Sequence, residues 1–297
     1  MTKPSASLLV AMAPIIFVFM WATGFVVARF SAPHVAPLYF LAIRFPIAGA
    51  FFAAIALAAR APWPSPQAAF HAAVAGVLLH GGYLGPVYWA VAHGMPAGVS
   101  ALIIGLQPLI TAVFASFMVG ERIGLRHWFG LAVGIAGVAL VVWPKLDFAA
   151  HGITPLTTAV NVMGAVSISL GTVYQKRFAA SLHVASGGVW QYAGASALAL
   201  VAAFLLEDFR FDGSPQAWFA LAWSVIVLSL AAISLLMLLI RAGEVSRVAS
   251  FIFLVPAVSA AMAYVLFSET LNFVQIAGMA LCAGAVLIVM RKSARPA

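Results

Sequence analysis

Long apolar runs, each separated by a short stretch holding Pro, Gly or a charged residue, follow one another along the whole chain. A run of about 20 apolar residues, wound as a helix rising about 1.5 Å per residue, crosses a hydrocarbon core about 30 Å thick. The pattern predicts ten such helices, near 8–29, 36–59, 69–92, 97–119, 127–143, 154–175, 185–206, 217–240, 246–267 and 272–290. The connections are tight, as in Arg60 to Pro66 and Glu207 to Gly213, and no soluble domain fits between or after the helices. The first run is too long and too aromatic for a signal-peptide core, and no small-residue cleavage site follows it, so it is expected to stay as a helix.

Composition agrees with that pattern. Of 297 residues, 65% are hydrophobic and only 7% are charged, against about 25% charged in a soluble domain. So few charges exclude an ordinary cytosolic enzyme and a disordered chain. The net charge of +8 comes from fifteen Lys and Arg spread thinly along the chain, with none of the clustering that a nucleic-acid groove requires. The single cysteine, Cys282, excludes an intramolecular disulfide and a cysteine metal site.

The basic residues also set an orientation. Short cytoplasmic loops of membrane proteins carry the excess of Lys and Arg. With the N-terminus inside, eleven basic residues fall in the cytoplasm (Lys3, Arg60, Arg122, Arg126, Lys176, Arg177, Arg241, Arg247, Arg291, Lys292 and Arg295). Three fall outside, Arg29, Lys145 and Arg210, and Arg44 lies within a span. Both termini are therefore expected in the cytoplasm.

The chain repeats itself at a shift of 148 residues: Pro108 with Pro256, Glu121 with Glu269, Gly130 with Gly278, and Arg29-Phe30 with Arg177-Phe178. Residues 1–148 and 149–297 each hold five predicted helices, so the second repeat enters the membrane inverted. Inverted repeats are a transporter architecture, with substrate bound near the midplane between the halves.

The run Ala101 to Pro108, followed by Glu121-Arg122 and by Gly130, Gly134 and Gly137, resembles the EamA domain of the drug/metabolite transporter superfamily. Ser250 to Pro256, Glu269, Gly278 and Gly284 repeat that pattern, and Trp21 to Phe25 with Arg44 resemble the family's first two helices. Within the family, the chain is similar to the YddG-type exporters of aromatic amino acids. The resemblance implies an all-α integral membrane protein: ten transmembrane helices as two inverted five-helix repeats around a central cavity. That cavity would be lined mainly by helices 1, 3, 4, 6, 8 and 9, with helices 5 and 10 peripheral. It also implies a multi-pass protein of the bacterial inner membrane that works as a monomer, takes a small-molecule substrate and meets the lipid bilayer and no nucleic acid.

Counting along each helix gives depths. His80 lies about 16 Å in, close to the midplane, with Tyr83 one turn further on the same face. Such polar residues face a cavity or bond a neighbouring helix. Gly81, Gly82 and Pro86 are expected to loosen or kink this helix. Gln107 also sits at mid-depth, and Pro108 with its repeat mate Pro256 frees a backbone carbonyl, either for a ligand or only as a packing kink. Trp21 is too deep for the interfacial belt, and its indole is placed to stack on a substrate; its repeat mate is Ser169. Asn161, Gln191 and Tyr192 are weaker candidates. Arg44, about 10 Å from the outer end, has three options: snorkelling, bonding helix-end carbonyls, or binding a substrate carboxylate. Glu121 and Glu269 close helices 4 and 9, where loop capping is the expected role.

All seven carboxylates fall in loops or at helix ends, so none is placed as a proton carrier in the midplane, and His80 is the one deep group that titrates near neutrality. There is no Walker loop, no close histidine ligand set and no Ser/His/acid constellation. No enzyme activity, cofactor or metal is expected. The reading is an alternating-access exporter of amino acids and related metabolites, by facilitated diffusion, with proton antiport through His80 as the rival mechanism. A multidrug or lipid exporter of the same fold is the alternative, and an intramembrane enzyme the weaker one.

Overall fold

A computed structural model describes residues 4–31, 33–95, 97–145, 153–243, 245–267 and 271–290. They form helices throughout: α1 (Pro4–Ser31), α2 (Pro37–Ala58), α3 (Pro66–Ala92), α4 (Ala97–Ile104 and Gln107–Met118), α5 (Leu125–Val142), α6 (Pro155–Ala179), α7 (Val184–Leu206), α8 (Pro215–Ala242), α9 (Val245–Ser250 running through a 3-10 turn into Leu254–Phe267) and α10 (Phe273–Met290). Among the described residues nine helices, α2 to α10, are long and apolar enough to cross a membrane. The apolar stretch found in α1 is Met12–Gly24.

Prolines that interrupt the sequence pattern open helices. Pro37, Pro66, Pro155 and Pro215 each occupy a first turn, where the missing N–H has no intrahelical partner anyway. Ser65, Thr154 and Ser214 precede three of them and accept a backbone N–H as caps, from Ala68, Thr157 and Ala217. Gly94 and Gly120, with φ of 93° and 70°, turn the chain after α3 and α4.

Lipid supplies no hydrophobic drive between helices, so close packing through small residues holds such a bundle together. α5 and α10 pair along glycines: a Cβ on Gly278 would lie 2.7 Å from the Gly137 carbonyl oxygen. α3 and α7 are closer still, with a Cβ on Gly76 falling 1.8 Å from the Gln191 carbonyl oxygen and one on Gly194 2.3 Å from that of Ala73. Gly82 of α3 lies against the Ser167 hydroxyl of α6. One apolar cluster joins residues of α1, α4, α5, α6, α8, α9 and α10, and a second joins α1, α2, α7 and α8. A third, small cluster holds Leu79 and Tyr83 of α3, Ile104 of α4, and Ala165 and Ile168 of α6, with Trp21 of α1 against it.

Three helices contain π-helical turns, at Val77–Gly81 in α3, Gln175–Ala179 in α6 and Ser224–Ala232 in α8. Regular α4 is interrupted at Gly105-Leu106 just ahead of Pro108, and α9 tightens at Phe251–Phe253 just ahead of Pro256. Gly105 and Phe253 are separated by the same 148 positions as Pro108 and Pro256, and Gly81 and Ser229, both in π turns, keep that spacing too. The loosened part of α3 ends at Gly81; Gly82 and Pro86 belong to the regular segment that follows. Glu269 lies outside the described residues.

Candidate functional site

Tyr83 and Trp21 come together. Tyr83 is buried, and the Trp21 indole lies at its hydroxyl. Trp21 also packs its ring against Phe17, centroids 5.2 Å apart. The short first segment of α4 and the middle of α6 complete this meeting of four helices through Ile104, Ala165 and Ile168. The π turn ahead of Tyr83 sets its direction, because i→i+5 bonding reduces the angular step per residue.

Gln107 is buried at the start of the second α4 segment. Its backbone carbonyl accepts from the Ser169 hydroxyl at 3.2 Å, a hydrogen that Ser169 shares with Ala165 O at 2.7 Å. No described residue hydrogen-bonds the Gln107 side-chain amide. One turn along the same face, the fully buried Thr111 hydroxyl also has no partner among the described residues. An unpaired buried polar group costs about 1–3 kcal/mol, and polar residues inside a membrane usually mark a pathway or a ligand. Thr111 escaped the sequence reading; its spacing of four from Gln107 was the available signal.

His80 and Tyr83, expected on one face, point apart. His80 turns to α7: its Nε2 is 3.4 Å from Gln191 Oε1 and its ring stacks on Tyr192 with centroids 4.7 Å apart. Gln191 donates in turn to Gln175 Oε1 at 2.8 Å, and Gln175 to Ala179 O at 3.3 Å. Asn161 clamps α6 to α4, donating to Ser100 O at 3.3 Å while accepting from the Ser100 hydroxyl at 3.2 Å. Arg44 reaches α8, donating from Nε to the Ser229 hydroxyl at 2.9 Å.

The two ends of the bundle are tied by charged groups on helix termini. At one end Lys176 Nζ donates to the carbonyls of Ile240, Arg241 and Gly243 at 2.8–3.0 Å, closing the C-terminus of α8. Arg177 donates to Met118 O at 2.6 Å, and Arg241 to the carbonyls of Ala180 and Leu182. A crevice of about 440 Å³ opens here, lined by Val119, Glu121, Lys176, Ala242, Gly243 and Arg247. At the other end Glu207 Oε2 accepts the backbone N–H of Leu38 and Tyr39, at 2.8 and 3.0 Å. Burial pushes the Glu207 carboxyl above its ordinary value, against the opposing pull of those N–H groups. Asp212 pairs with His34 at 2.6 Å and accepts from Ser214 N at 2.9 Å. No group of three His, Cys, Asp or Glu among the described residues could hold a metal.

Membrane-length helices, packed through glycines around buried polar groups that lack partners, define a multi-pass membrane transporter. The chain belongs to the EamA-like transporter family, whose model matches residues 7–143 and 158–291. The uncharacterized transporter YvbV of Bacillus subtilis is 28% identical over 289 residues, covering 93% of this chain and 90% of its own. A probable amino-acid metabolite efflux pump of Salmonella typhimurium is 27% identical over 282 residues, covering 90% of each chain. The uncharacterized inner membrane transporter YedA of Escherichia coli is 24% identical over 270 residues, covering 91% of this chain and 87% of its own. A solved crystal structure shares the fold, with a TM-score of 0.78, 21% identity, and 95% and 96% of the two chains covered. As a member of this family the protein transports solutes and is not an enzyme.

Proposed function

We propose that the protein exports amino acids and related small metabolites, aromatic ones included, across the bacterial inner membrane. It does so by alternating access and without coupling to an ion. The chain crosses the membrane ten times as two inverted repeats, 1–148 and 149–297, with both termini in the cytoplasm, and it works as a monomer. The substrate sits where α1, α3, α4 and α6 converge, against Trp21, Tyr83, Gln107 and Ser169. The observation that carries this reading is the Gln107 amide, buried at the α4 break and without a hydrogen-bond partner among the described residues. An amide both donates and accepts, so it suits either end of a zwitterion. The breaks ahead of Pro108 and Pro256, with the π turn ending at Gly81, supply the flexing points. A relative named as an amino-acid metabolite efflux pump supports the substrate class.

The test is uptake of labelled phenylalanine, threonine and a nucleotide sugar into liposomes holding the purified protein, with and without a pH gradient. Saturable amino acid uptake indifferent to the gradient is the expected result. Uphill uptake driven by the gradient would replace facilitated diffusion with proton antiport. Uptake of the sugar alone would overturn the substrate class.

A further inference from the structure

Arg44 is a permanent cation inside a membrane-spanning helix, with only 5% of its surface exposed. Of the three roles open to such a residue, two are removed by its surroundings. A snorkelling arginine brings its head to the interface, and this one is enclosed. A helix-capping arginine donates to terminal carbonyls, and no carbonyl among the described residues accepts from Arg44: its hydrogen bond there runs from Nε to the Ser229 hydroxyl. No carboxylate among the described residues pairs with it. A guanidinium carries five N–H donors, so the four on the terminal nitrogens meet no acceptor among the described residues. Neither terminal nitrogen is among the side-chain atoms sealed off without a partner, so both keep open surface.

The surroundings are shaped rather than accidental. Ser229 is a junction: its hydroxyl fixes Arg44, and its carbonyl accepts the Tyr192 hydroxyl at 3.1 Å. It lies in the π turn of α8, whose wider winding presents it toward α2 and α7. The guanidinium carbon lies 5.9 Å from the Phe45 ring centre. Its charge also acts on His80, Tyr83 and Tyr88 of α3 and Tyr192 of α7, so aromatic side chains of these helices lie within its field beside the Phe45 ring of α2. Placing an arginine within a membrane-spanning helix is costly, and a single hydrogen bond to a neutral hydroxyl recovers only part of that cost.

We propose that Arg44 is the carboxylate site of the transported molecule. Its free terminal fork takes both oxygens of a small organic carboxylate, while the surrounding rings hold the apolar or aromatic body. The planar fork matches a carboxylate in a bidentate fashion, and a charge-assisted pair in a low-dielectric site is strong. Because Tyr83 touches both Trp21 and the field of Arg44, the site adjoins the α1–α3–α4–α6 convergence. The assignment deepens the transport reading and rests on it.

Calorimetric titration of the detergent-solubilised protein tests this with four probes: sodium 3-phenylpropanoate, phenylalanine, phenethylammonium chloride and sodium chloride. The two carboxylates are expected to bind the wild-type protein and to weaken at least tenfold in Arg44→Gln, with Arg44→Lys intermediate. Phenethylammonium should bind at least tenfold more weakly than phenylalanine. Arg44→Gln should melt no lower than wild type, since it removes an unpaired buried charge; if it does not fold, Arg44→Lys carries the comparison. Carboxylate affinity unchanged in Arg44→Gln or Arg44→Lys, phenethylammonium binding as tightly as phenylalanine, displacement by chloride alone, or no carboxylate binding to the wild type would each overturn the assignment. Liposome uptake separates the two readings. Phenylalanine uptake with an unchanged KM in Arg44→Gln sinks the arginine and leaves the transporter, whereas carboxylate binding without uptake does the reverse.

Discussion

Glu121, at the end of α4, caps a helix 124 residues further along the chain: its Oε1 accepts the Val245 backbone N–H at 2.5 Å. Its Oε2 takes the Ser246 N–H at 3.1 Å and the Ser246 hydroxyl at 2.5 Å. The first N–H groups of a helix lack intrahelical acceptors and carry partial positive charge, which a carboxylate satisfies on both counts. Glu121 thus ties α4 to the start of α9 beside the crevice shared with Lys176. Glu121→Ala is expected to lower stability by about 1–3 kcal/mol, from the lost cap and its charge-assisted bonds. Glu121→Gln, which keeps acceptor geometry without the charge, should lose less. The lone buried Cys282 provides the readout: a thiol-reactive dye labels it only as the bundle opens, and equal melting of all three proteins would exclude the cap.

The α3–α7 seam makes a second prediction, with its own control. A Cβ on Gly76 would sit 1.8 Å from the Gln191 carbonyl oxygen, which belongs to the backbone and cannot swing aside. Gly76→Ala must separate two helices, at a cost of about 3 kcal/mol or more. It should also disturb the Gln191 side chain that bonds both His80 and Gln175. Gly284, by contrast, has nothing within 4 Å of its notional Cβ. Gly284→Ala is expected to be neutral or to stabilise by up to about 1 kcal/mol through helix propensity. Dye-labelled melting of both variants checks the pair, and a stable Gly76→Ala protein would refute the close approach.

Much of this arrangement was legible in the chain. Apolar runs predict the helices to within a few residues, because a membrane leaves a backbone little choice but to bond within its own segment. Pro66 and Pro215 show where boundaries were misread: each lies just outside its predicted run yet forms the first turn. Depth counting put Tyr83 and Gln107 near the midplane and Trp21 somewhat outside it. It failed for the pairing of His80 with Tyr83, since a regular helix was assumed and a π turn intervenes. No residue type announces such a turn. The placement of every carboxylate in a loop or at a helix end already left Arg44 without an acid at its depth, but its enclosure and its bond to Ser229 depend on how the helices pack.

The opposite end of the bundle responds to acid. Asp212 is held at about 2, first by the Ser214 backbone N–H and then by His34. A carboxyl whose folded value lies below its ordinary value of about 3.9 stabilises the fold when ionised. That contribution is complete above about pH 4 and disappears as pH falls toward 2. The melting difference between wild type and Asp212→Asn should therefore be constant from neutrality down to about pH 5, then shrink below pH 4. A difference that grows on acidification would contradict the pairing of the His34 and Asp212 loops.

The divergence of His80 and Tyr83 predicts that two neighbours on one helix fail differently. The His80 ring stacks on Tyr192 and bonds the Gln191–Gln175 chain, all within the helix seam. His80→Ala removes those contacts and is expected to lower stability by about 2–4 kcal/mol, as other large-to-small core changes do. Tyr83 sits where α1, α3, α4 and α6 meet, against Trp21. Tyr83→Ala should therefore raise the KM for amino acid uptake about tenfold, equivalent to about 1.4 kcal/mol of binding, while Tyr83→Phe, which keeps the ring, loses less. Liposome uptake at saturating and limiting substrate, paired with dye-labelled melting of the same preparations, resolves the two effects. If His80→Ala raises KM as far as Tyr83→Ala does, at unchanged stability, His80 belongs to the substrate wall and the separation drawn by the π turn is wrong.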